Sequence, residues 1–164
     1  MEQINGRVLE YGDNINTDLI APSQYGPCEI EVQLMHAMEG VDPDFSRKVQ
    51  KGDIIVAGKN FGCGSSRETA PNVLKQSGIS AVIAESFARI FFRNAINIGL
   101  PVLTTAEIDK ISENDVLSVD PLSGRIYNTS TGETISSNKL PEFIMELLND
   151  GGLIEHTKKQ YNKT

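Results

Sequence analysis

The sequence has 164 residues, of which 39% are hydrophobic, and it contains no apolar run near the roughly 18 residues that a membrane-spanning helix needs. Its 15 basic and 22 acidic residues give a net charge of −7, and the basic residues are scattered along the chain. These properties exclude a membrane protein, argue against nucleic-acid binding and predict one soluble domain, residues 1–164, with a proper hydrophobic core. No signal peptide opens the chain, so we expect a cytoplasmic protein.

The first part of the chain predicts a strand, a turn, a long loop and a helix. Residues 3–11 are typical of a strand, and the glycine and polar residues at 12–14 indicate a turn. Residues 13–31 contain two prolines and little periodicity, which predicts a functional loop. Apolar side chains between residues 31 and 39 are spaced as on an uneven helix, and we expect its methionines to pack in the core.

The most informative stretch is residues 58–70, Gly-Lys-Asn-Phe-Gly-Cys-Gly-Ser-Ser-Arg-Glu-Thr-Ala. It follows a predicted buried strand at residues 53–58 and precedes a helix that ends at Gly78. The buried face of that helix is predicted to hold Ala70, Val73 and Leu74. The stretch therefore lies at the carboxyl end of a strand, which is where open α/β sheets usually bind ligands.

The residue types in this stretch favour binding of a small carboxylate. Gly62 and Gly64 permit positive φ and let the backbone amides approach a bound group. The start of the following helix favours an anion and lowers the free energy needed to ionise Ser65. Arg67 adds a planar guanidinium that can bind a carboxylate through two hydrogen bonds.

A purely structural interpretation of the same residues is a capping box, in which Ser65 and Glu68 satisfy the first amides of the helix. Pro71 would then lie about two turns inside the helix, where it removes a hydrogen bond and kinks the chain. We therefore expect the helix either to begin nearer Thr69 or to bend, and in both cases the serine turn is more exposed than an ordinary cap.

The middle of the chain continues as α/β. Residues 79–84 predict a strand, Ser86 is the predicted N-cap of a helix that runs to Ile98, and residues 100–104 predict the next strand. A second face of that helix carries three polar residues at intervals of four: Arg89, Arg93 and Asn97. This face is either exposed to solvent or in contact with a partner subunit or a shared cleft. The predicted buried face of the helix consists of Phe87, Ile90, Phe91, Ala95 and Ile98.

The last third predicts an antiparallel layer and a final helix. Residues 107–112 indicate a short helix, and residues 116–127 predict a β-hairpin. A helix from residue 141 to 149 ends at Asp150-Gly-Gly, and the lysine-rich end beyond Glu155 is predicted to be a solvated tail. The side chains predicted to be buried on this last helix are Phe143, Ile144, Leu147 and Leu148.

Several motifs together resemble the small subunits of 3-isopropylmalate dehydratases, which belong to the aconitase superfamily. The resemblance covers essentially the whole chain. It is carried by residues 12–18 (Gly-Asp-Asn-Ile-Asn-Thr-Asp), 60–68 (Asn-Phe-Gly-Cys-Gly-Ser-Ser-Arg-Glu), 86–91 (Ser-Phe-Ala-Arg-Ile-Phe) and 151–155 (Gly-Gly-Leu-Ile-Glu). It implies an α/β fold made of a single swivelling β/β/α domain of the aconitase carboxy-terminal-domain type.

The resemblance also implies a hydro-lyase in which this chain is half of the active site, interconverting 2- and 3-isopropylmalate in leucine biosynthesis. Ser65 would be the general base that removes a proton from carbon. Ser66 and Arg67, with the backbone at Gly64, would bind the carboxylates of the substrate. Asp18 would lie close to the site and order it.

The implied partner is a large subunit carrying a four-iron four-sulfur cluster that polarises the leaving hydroxyl. Such a cluster needs about three or four thiolates, and this chain has only Cys28 and Cys63, so we expect no cofactor or metal on this chain. A zinc site built from both cysteines with His36 and His156 has spacings unlike a compact zinc module. We expect reduced thiols, with Cys63 lining the pocket.

The substrate's side group is selected in this family by a Tyr-Leu-x-x segment, which here consists of Tyr25, Gly26, Pro27 and Cys28. Homoaconitate enzymes place an arginine at the position of Pro27, so a small or apolar side group is expected here rather than a further carboxylate. The missing leucine leaves a dehydratase for methyl- or dimethylmalate as an alternative to one for isopropylmalate, and a homoaconitase small subunit is a further alternative. Thr69 stands where many relatives have histidine. A carboxylate-binding regulatory module is the non-enzymatic alternative.

Overall fold

Seven strands and seven α-helices are formed by residues 1–163, which are the residues that the computed structural model describes. The strands are β1 (Ile4–Glu10), β2 (Ile54–Ala57), β3 (Ala81–Ala84), β4 (Val102–Thr104), β5 (Val116–Asp120), β6 (Arg125–Asn128) and β7 (Glu133–Ser136). The helices are α1 (Thr17–Ile20), α2 (Ile30–Met35), α3 (Phe45–Lys48), α4 (Thr69–Gln76), α5 (Arg89–Asn97), α6 (Glu142–Asn149) and α7 (Leu153–Tyr161). Single 3-10 turns cover Ser23–Tyr25 and Ile108–Lys110.

The strands form one mixed sheet in the order β4-β3-β2-β1-β5-β6-β7. The first four strands are parallel to one another, and β5, β6 and β7 form an antiparallel meander that joins the sheet through β1. Strand β1 belongs to both the parallel half (β1–β4) and the antiparallel half of the sheet, because Val8 pairs with Ile54 of β2 while Ile4 pairs with Val119 of β5. The α/β class and the hairpin are confirmed, and β7 is a strand that the sequence did not predict.

Two hydrophobic cores lie on opposite faces of the parallel strands, because successive side chains of a strand point to opposite sides. Leu9 and Ile55 belong to the core under the helices, whereas Val8 and Ile54 belong to the second core. The second core also contains side chains of β5, β6 and β7. The antiparallel half therefore folds across one face of the parallel half, which gives the predicted β/β/α layering.

Helix α4 begins at Thr69, which is one of the two alternatives that Pro71 imposed. In this position the proline lies in the first turn, where its missing N–H removes no helical hydrogen bond. The prediction that Ser86 caps α5 is wrong. The helix begins at Arg89, and the Ser86 hydroxyl instead accepts a hydrogen bond from the amide of Asn60 (2.9 Å).

Three side chains that were predicted to lie in the core are exposed. The first is Met35, which is 66% exposed, whereas Met38 is buried as predicted. Ile90 is 47% exposed and Phe143 is 59% exposed, whereas Ile96 and Met145 are buried in their helices. Helix α6 packs against α5 and α7, and its buried side chains join the core under the helices. The Phe143 ring lies edge-on to the ring of His156 on α7 at the surface. Helical spacing alone therefore predicted burial correctly at Phe91, Ala95, Leu147 and Leu148 and wrongly at Ile90 and Phe143.

The lysine-rich end is not a tail, because residues Leu153–Tyr161 form α7, which packs beside α5 and α6. The Asp150 carboxylate, just before this helix, lies 2.5 Å from Lys159 Nζ in its last turn and 2.7 Å from His156 Nδ1. Hydrogen bonds from Lys159 and then from His156 lower the pKa of the Asp150 carboxyl below its ordinary value. Within residues 1–163, no helix has the length and apolar character needed to cross a membrane.

Candidate active site

The loop after β1 and the turn after β2 lie side by side and are joined by hydrogen bonds. The Gly62 amide donates to the Ile15 carbonyl (2.8 Å), and the Thr17 amide donates to the Cys63 carbonyl (2.9 Å). The Thr17 hydroxyl, which is almost completely buried, donates to the Ser65 carbonyl (2.9 Å). Two motifs that are far apart in the sequence therefore form one continuous surface.

Both glycines of the turn have positive φ, 79° at Gly62 and 95° at Gly64, as the sequence predicts. Their surroundings differ. A Cβ at Gly62 would lie 2.2 Å from Cγ of Phe91, whereas a Cβ at Gly64 would meet its nearest atoms at 3.6 Å. Helix α5 consequently packs directly against the turn at Gly62.

The loop after β3 forms the third side of the site. Phe61 and Phe87 form a parallel β-bridge, in which the Phe61 amide donates to the Ser86 carbonyl (3.0 Å) and the Ala88 amide donates to the Phe61 carbonyl (2.9 Å). Since α5 starts at the next residue, Arg89 is placed at the edge of the turn. The carboxyl ends of β1, β2 and β3 thus bring their loops together, as expected for an open parallel sheet.

An open cleft of about 190 Å³ lies between the turn and the start of α5. Ser65 and Ser66, the predicted general base and its neighbour, are both exposed there. Cys63, which was predicted to line the pocket, is not among the lining residues; its carbonyl instead helps to join the two loops. The cleft is lined by Thr17, Gly62, Gly64, Ser65, Ser66, Arg67, Ala88, Arg89, Ile90 and Phe91.

Arg67 and Asp18 form an ion pair beside this cleft. Arg67 Nη1 lies 3.2 Å from Asp18 Oδ1 and 3.3 Å from the Ala21 carbonyl. The Ser23 amide also donates to Asp18 Oδ1 (2.9 Å), and the hydrogen bonds from Ser23, followed by that from Arg67, lower the pKa of the Asp18 carboxyl. Among residues 1–163, Arg67 Nε and Nη2 have no partner, so a carboxylate can bind them.

A second, larger cleft of about 460 Å³ opens on the other side of Arg67. Tyr25 and Gly26 of the predicted substrate-selecting segment line it, whereas Pro27 and Cys28 are exposed and are not lining residues. Arg67 is the residue that lines both clefts. The larger cleft is also lined by Ala21, Pro22, Ser23, Gln33, Glu68 and Thr69.

Helix α2 and its C-cap residue hold this predicted substrate-selecting segment in place through two side chains that sequence reasoning missed. Gln33 Nε2 donates to the Cys28 carbonyl (2.9 Å), and the His36 ring stacks on the Tyr25 ring with centroids 3.7 Å apart and an angle of 7° between the planes. A single glutamine and a single histidine on an unevenly apolar helix carry no signal of such contacts, because both partners belong to a preceding irregular segment.

The residues of this chain do not fit an iron–sulfur cluster. In the described part, residues 1–163, no group of three or more Cys, His, Asp or Glu side chains could hold a metal ion. Both thiols are free, with Cys28 exposed and Cys63 partly buried.

The fold and the site define a class of protein that presents a serine and an arginine at an open cleft on the carboxyl edge of a parallel sheet. Comparison with known proteins agrees with this class. The aconitase C-terminal domain family matches residues 8–107. The isopropylmalate/citramalate isomerase small subunit of Methanocaldococcus jannaschii is 54% identical over 159 residues, which are 96% of this chain and 95% of that protein.

Two further relatives agree. The 3-isopropylmalate dehydratase small subunit of Halothermothrix orenii is 52% identical and covers 95% of this chain and 96% of its own length. A crystal structure of 3-isopropylmalate dehydratase from M. jannaschii superposes with a TM-score of 0.92 at 42% identity, covering 98% of this chain and 96% of that chain. The chain belongs to the aconitase C-terminal domain family, within the group of 3-isopropylmalate dehydratase small subunits.

Proposed function

We propose that this chain is the small subunit of a heteromeric hydro-lyase of the 3-isopropylmalate dehydratase type, which interconverts 2- and 3-isopropylmalate in leucine biosynthesis. The observation that carries the proposal is that Ser65, Ser66 and Arg67 lie together at one open cleft. The names of relatives about half identical over nearly the whole chain support it.

In this proposal Ser65 is the general base that removes a proton from carbon and returns one to the isomeric carbon. Its exposure at the cleft supports this role, because a buried hydroxyl could not reach the substrate. Arg67 and Ser66, with the amide backbone at Gly64, bind a carboxylate of the malate. Asp18 orients Arg67 through their ion pair and leaves two of its nitrogens free.

A large partner subunit completes the site in this proposal. Covering the exposed cleft would exclude water, which raises the pKa of the Ser65 hydroxyl and makes its alkoxide a stronger base once it forms. A four-iron four-sulfur cluster of the partner would supply the Lewis acid for the leaving hydroxyl. The cytoplasmic location stays a prediction from the sequence.

Citramalate, a methyl-substituted malate, is a second candidate substrate. The name of the M. jannaschii relative includes both isopropylmalate and citramalate. The larger cleft begins at Tyr25 and Gly26, at the start of the segment expected to select the side group. Pro27 in that segment disfavours homoaconitate, whose additional carboxylate would require a cation there.

Substituting Ser65 tests the proposed function. We expect Ser65→Ala to fold, to assemble with a co-expressed large subunit, and to lower kcat by about 100- to 10,000-fold, the usual contribution of a general base. The measurement is the change in alkene absorbance with isopropylmalate and with citramalate, with assembly checked by size-exclusion chromatography. The matched control is Ser66→Ala, which should raise KM more than it lowers kcat. A Ser65→Ala enzyme with the wild-type rate would contradict the catalytic role and favour a regulatory carboxylate-binding module.

A further inference from the structure

A second arginine, Arg89, lines the same cleft as Ser65 and Ser66 and is not used in the proposed reaction above. Its side chain is exposed, and among residues 1–163 it has no hydrogen-bond or ion-pair partner. Surface arginines in this acidic chain are often paired, as Arg47 is with Asp44. An unpaired guanidinium that faces a ligand cleft is therefore available for a ligand.

The position of Arg89 relative to the serine turn is held by tertiary contacts. The Phe61–Phe87 bridge joins the segment before α5 to the turn, and the Phe91 ring occupies the space where Gly62 lacks a side chain. Phe61 and Phe91 also pack edge to face, with centroids 5.2 Å apart. Arg89 therefore starts from a fixed backbone position, which limits the freedom that it loses when it binds a ligand.

With Arg89 included, the cleft has two positively charged side chains, which matches the two negative charges of a dicarboxylate. A substituted malate has two carboxylates, and the charge of Arg67 is already partly compensated by Asp18. Arg67 and Arg89 are the charged residues that line the cleft, and no acidic residue of the described range lines it. Once a partner excludes water, the two cations lie in a medium where their attraction for carboxylates is stronger.

We propose that Arg89 is a substrate-binding residue, and that its guanidinium binds the second carboxylate of the malate whose first carboxylate binds Arg67. This inference rests on the proposed function. It assigns the two carboxylates, which all the candidate malates share, to two arginines on different loops. The side group that distinguishes the malates is left to the segment that contains Tyr25.

Arg93, one turn further along α5, provides a matched control. It is also exposed and unpaired among residues 1–163, and both arginines line a groove between α5 and α6. Arg89 also lines the smaller cleft that contains Ser65, whereas Arg93 does not. A role of this helix face in docking the partner subunit would involve both arginines, whereas a role in substrate binding would involve Arg89 alone.

The test compares Arg89→Ala, Arg89→Gln and Arg93→Ala in the complex with the large subunit, using steady-state kinetics at a saturating large-subunit concentration. We expect both Arg89 variants to raise KM by about 10- to 100-fold, which corresponds to the loss of one charged hydrogen-bonding partner. The increase should be the same for 2-isopropylmalate and for citramalate, because both have the same two carboxylates. Arg93→Ala should leave KM unchanged.

Three outcomes would overturn the inference: an unchanged KM for the Arg89 variants, an equal increase for Arg93→Ala, or an increase that differs strongly between the two malates. Arg89→Gln keeps the length and polarity of the side chain, so it reports on binding even if Arg89→Ala folds poorly. A wild-type complex that is inactive on every substituted malate would instead overturn the proposed function. The two failures are therefore distinguishable.

Discussion

Single residues of the turn after β2 differ in how much they constrain the site. Gly62 and Gly64 both have positive φ, but only Gly62 is in direct contact with another element, because the Phe91 ring fills the space beside it. Gly64 has room for a methyl group and is required for its backbone conformation alone. The first glycine therefore joins the turn to α5, and the second shapes the backbone next to Ser65.

This difference predicts a graded response to alanine substitution, measured as the free energy of unfolding in urea. Gly64→Ala should destabilise the protein by about 1–2 kcal/mol, the usual strain of a left-handed conformation. Gly62→Ala should cost more than about 2 kcal/mol, since the new methyl group also overlaps Phe91. Gly12→Ala is the control: its Cβ would meet nothing within 4 Å, and we expect a change within about 0.5 kcal/mol. Equal effects at Gly62 and Gly64 would contradict the contact with α5.

At the level of elements, the short helix α2 supports the segment that lines the larger cleft. Its Gln33 side chain donates to the Cys28 carbonyl and, at 3.3 Å, to the Gly26 carbonyl, and its C-cap His36 stacks on Tyr25. The side group of the substrate would therefore be recognised by a segment whose shape depends on a neighbouring helix. The turn that contains Ser65, Ser66 and Arg67 has no part in these contacts.

Removing one of these supports should change selectivity rather than chemistry. We expect Gln33→Ala to change the ratio of kcat/KM for isopropylmalate to kcat/KM for citramalate by up to about tenfold, because two hydrogen bonds to the segment are lost. The kcat of the better substrate should change little. Glu31→Ala, an exposed position on the same helix, is the control. The idea fails if the ratio is unchanged, or if the control changes it equally.

In the whole molecule, the parallel half of the sheet carries the candidate site and the antiparallel half carries part of the hydrophobic core. The loops of the parallel strands β1, β2 and β3 contribute the site, whereas no residue of β5, β6 or β7 lines either cleft. The antiparallel half instead covers the second core, to which Ile126 and Ile135 contribute fully buried side chains. It stabilises the parallel half and contributes no residue to either cleft.

A substitution in the antiparallel half should therefore change stability and leave binding unaffected. Ile126→Ala, at a completely buried position, should lower the free energy of unfolding by about 2–5 kcal/mol. KM of the assembled enzyme should remain at the wild-type value. Tyr127→Ala, the next residue on β6 and 39% exposed, should destabilise the protein clearly less. A change in KM for Ile126→Ala would show that the two halves are coupled.

Interpretation of the sequence succeeded where the signal was local. The strands around Ile55 and Ile83 are short apolar runs, and Pro71 restricted where α4 could start; all three features depend on neighbouring residues in the chain. The interpretation was wrong where a side chain that could serve its own helix instead bonds to a residue distant in the chain. Ser86 is a plausible helix cap, but its hydroxyl accepts a hydrogen bond from Asn60 on another loop.

The sequence by itself determined the family, the α/β class and the residue types of the turn, because motifs, hydrophobic periodicity and glycine placement are properties of short stretches. Only the tertiary structure decided that Asp18 pairs with Arg67, that Gln33 and His36 hold the segment at Tyr25, and that Arg89 lines the same cleft as Ser65. Each of these facts depends on how loops and helices that are distant in the chain pack against one another. The spacing of residues along the chain does not encode which distant segments come into contact.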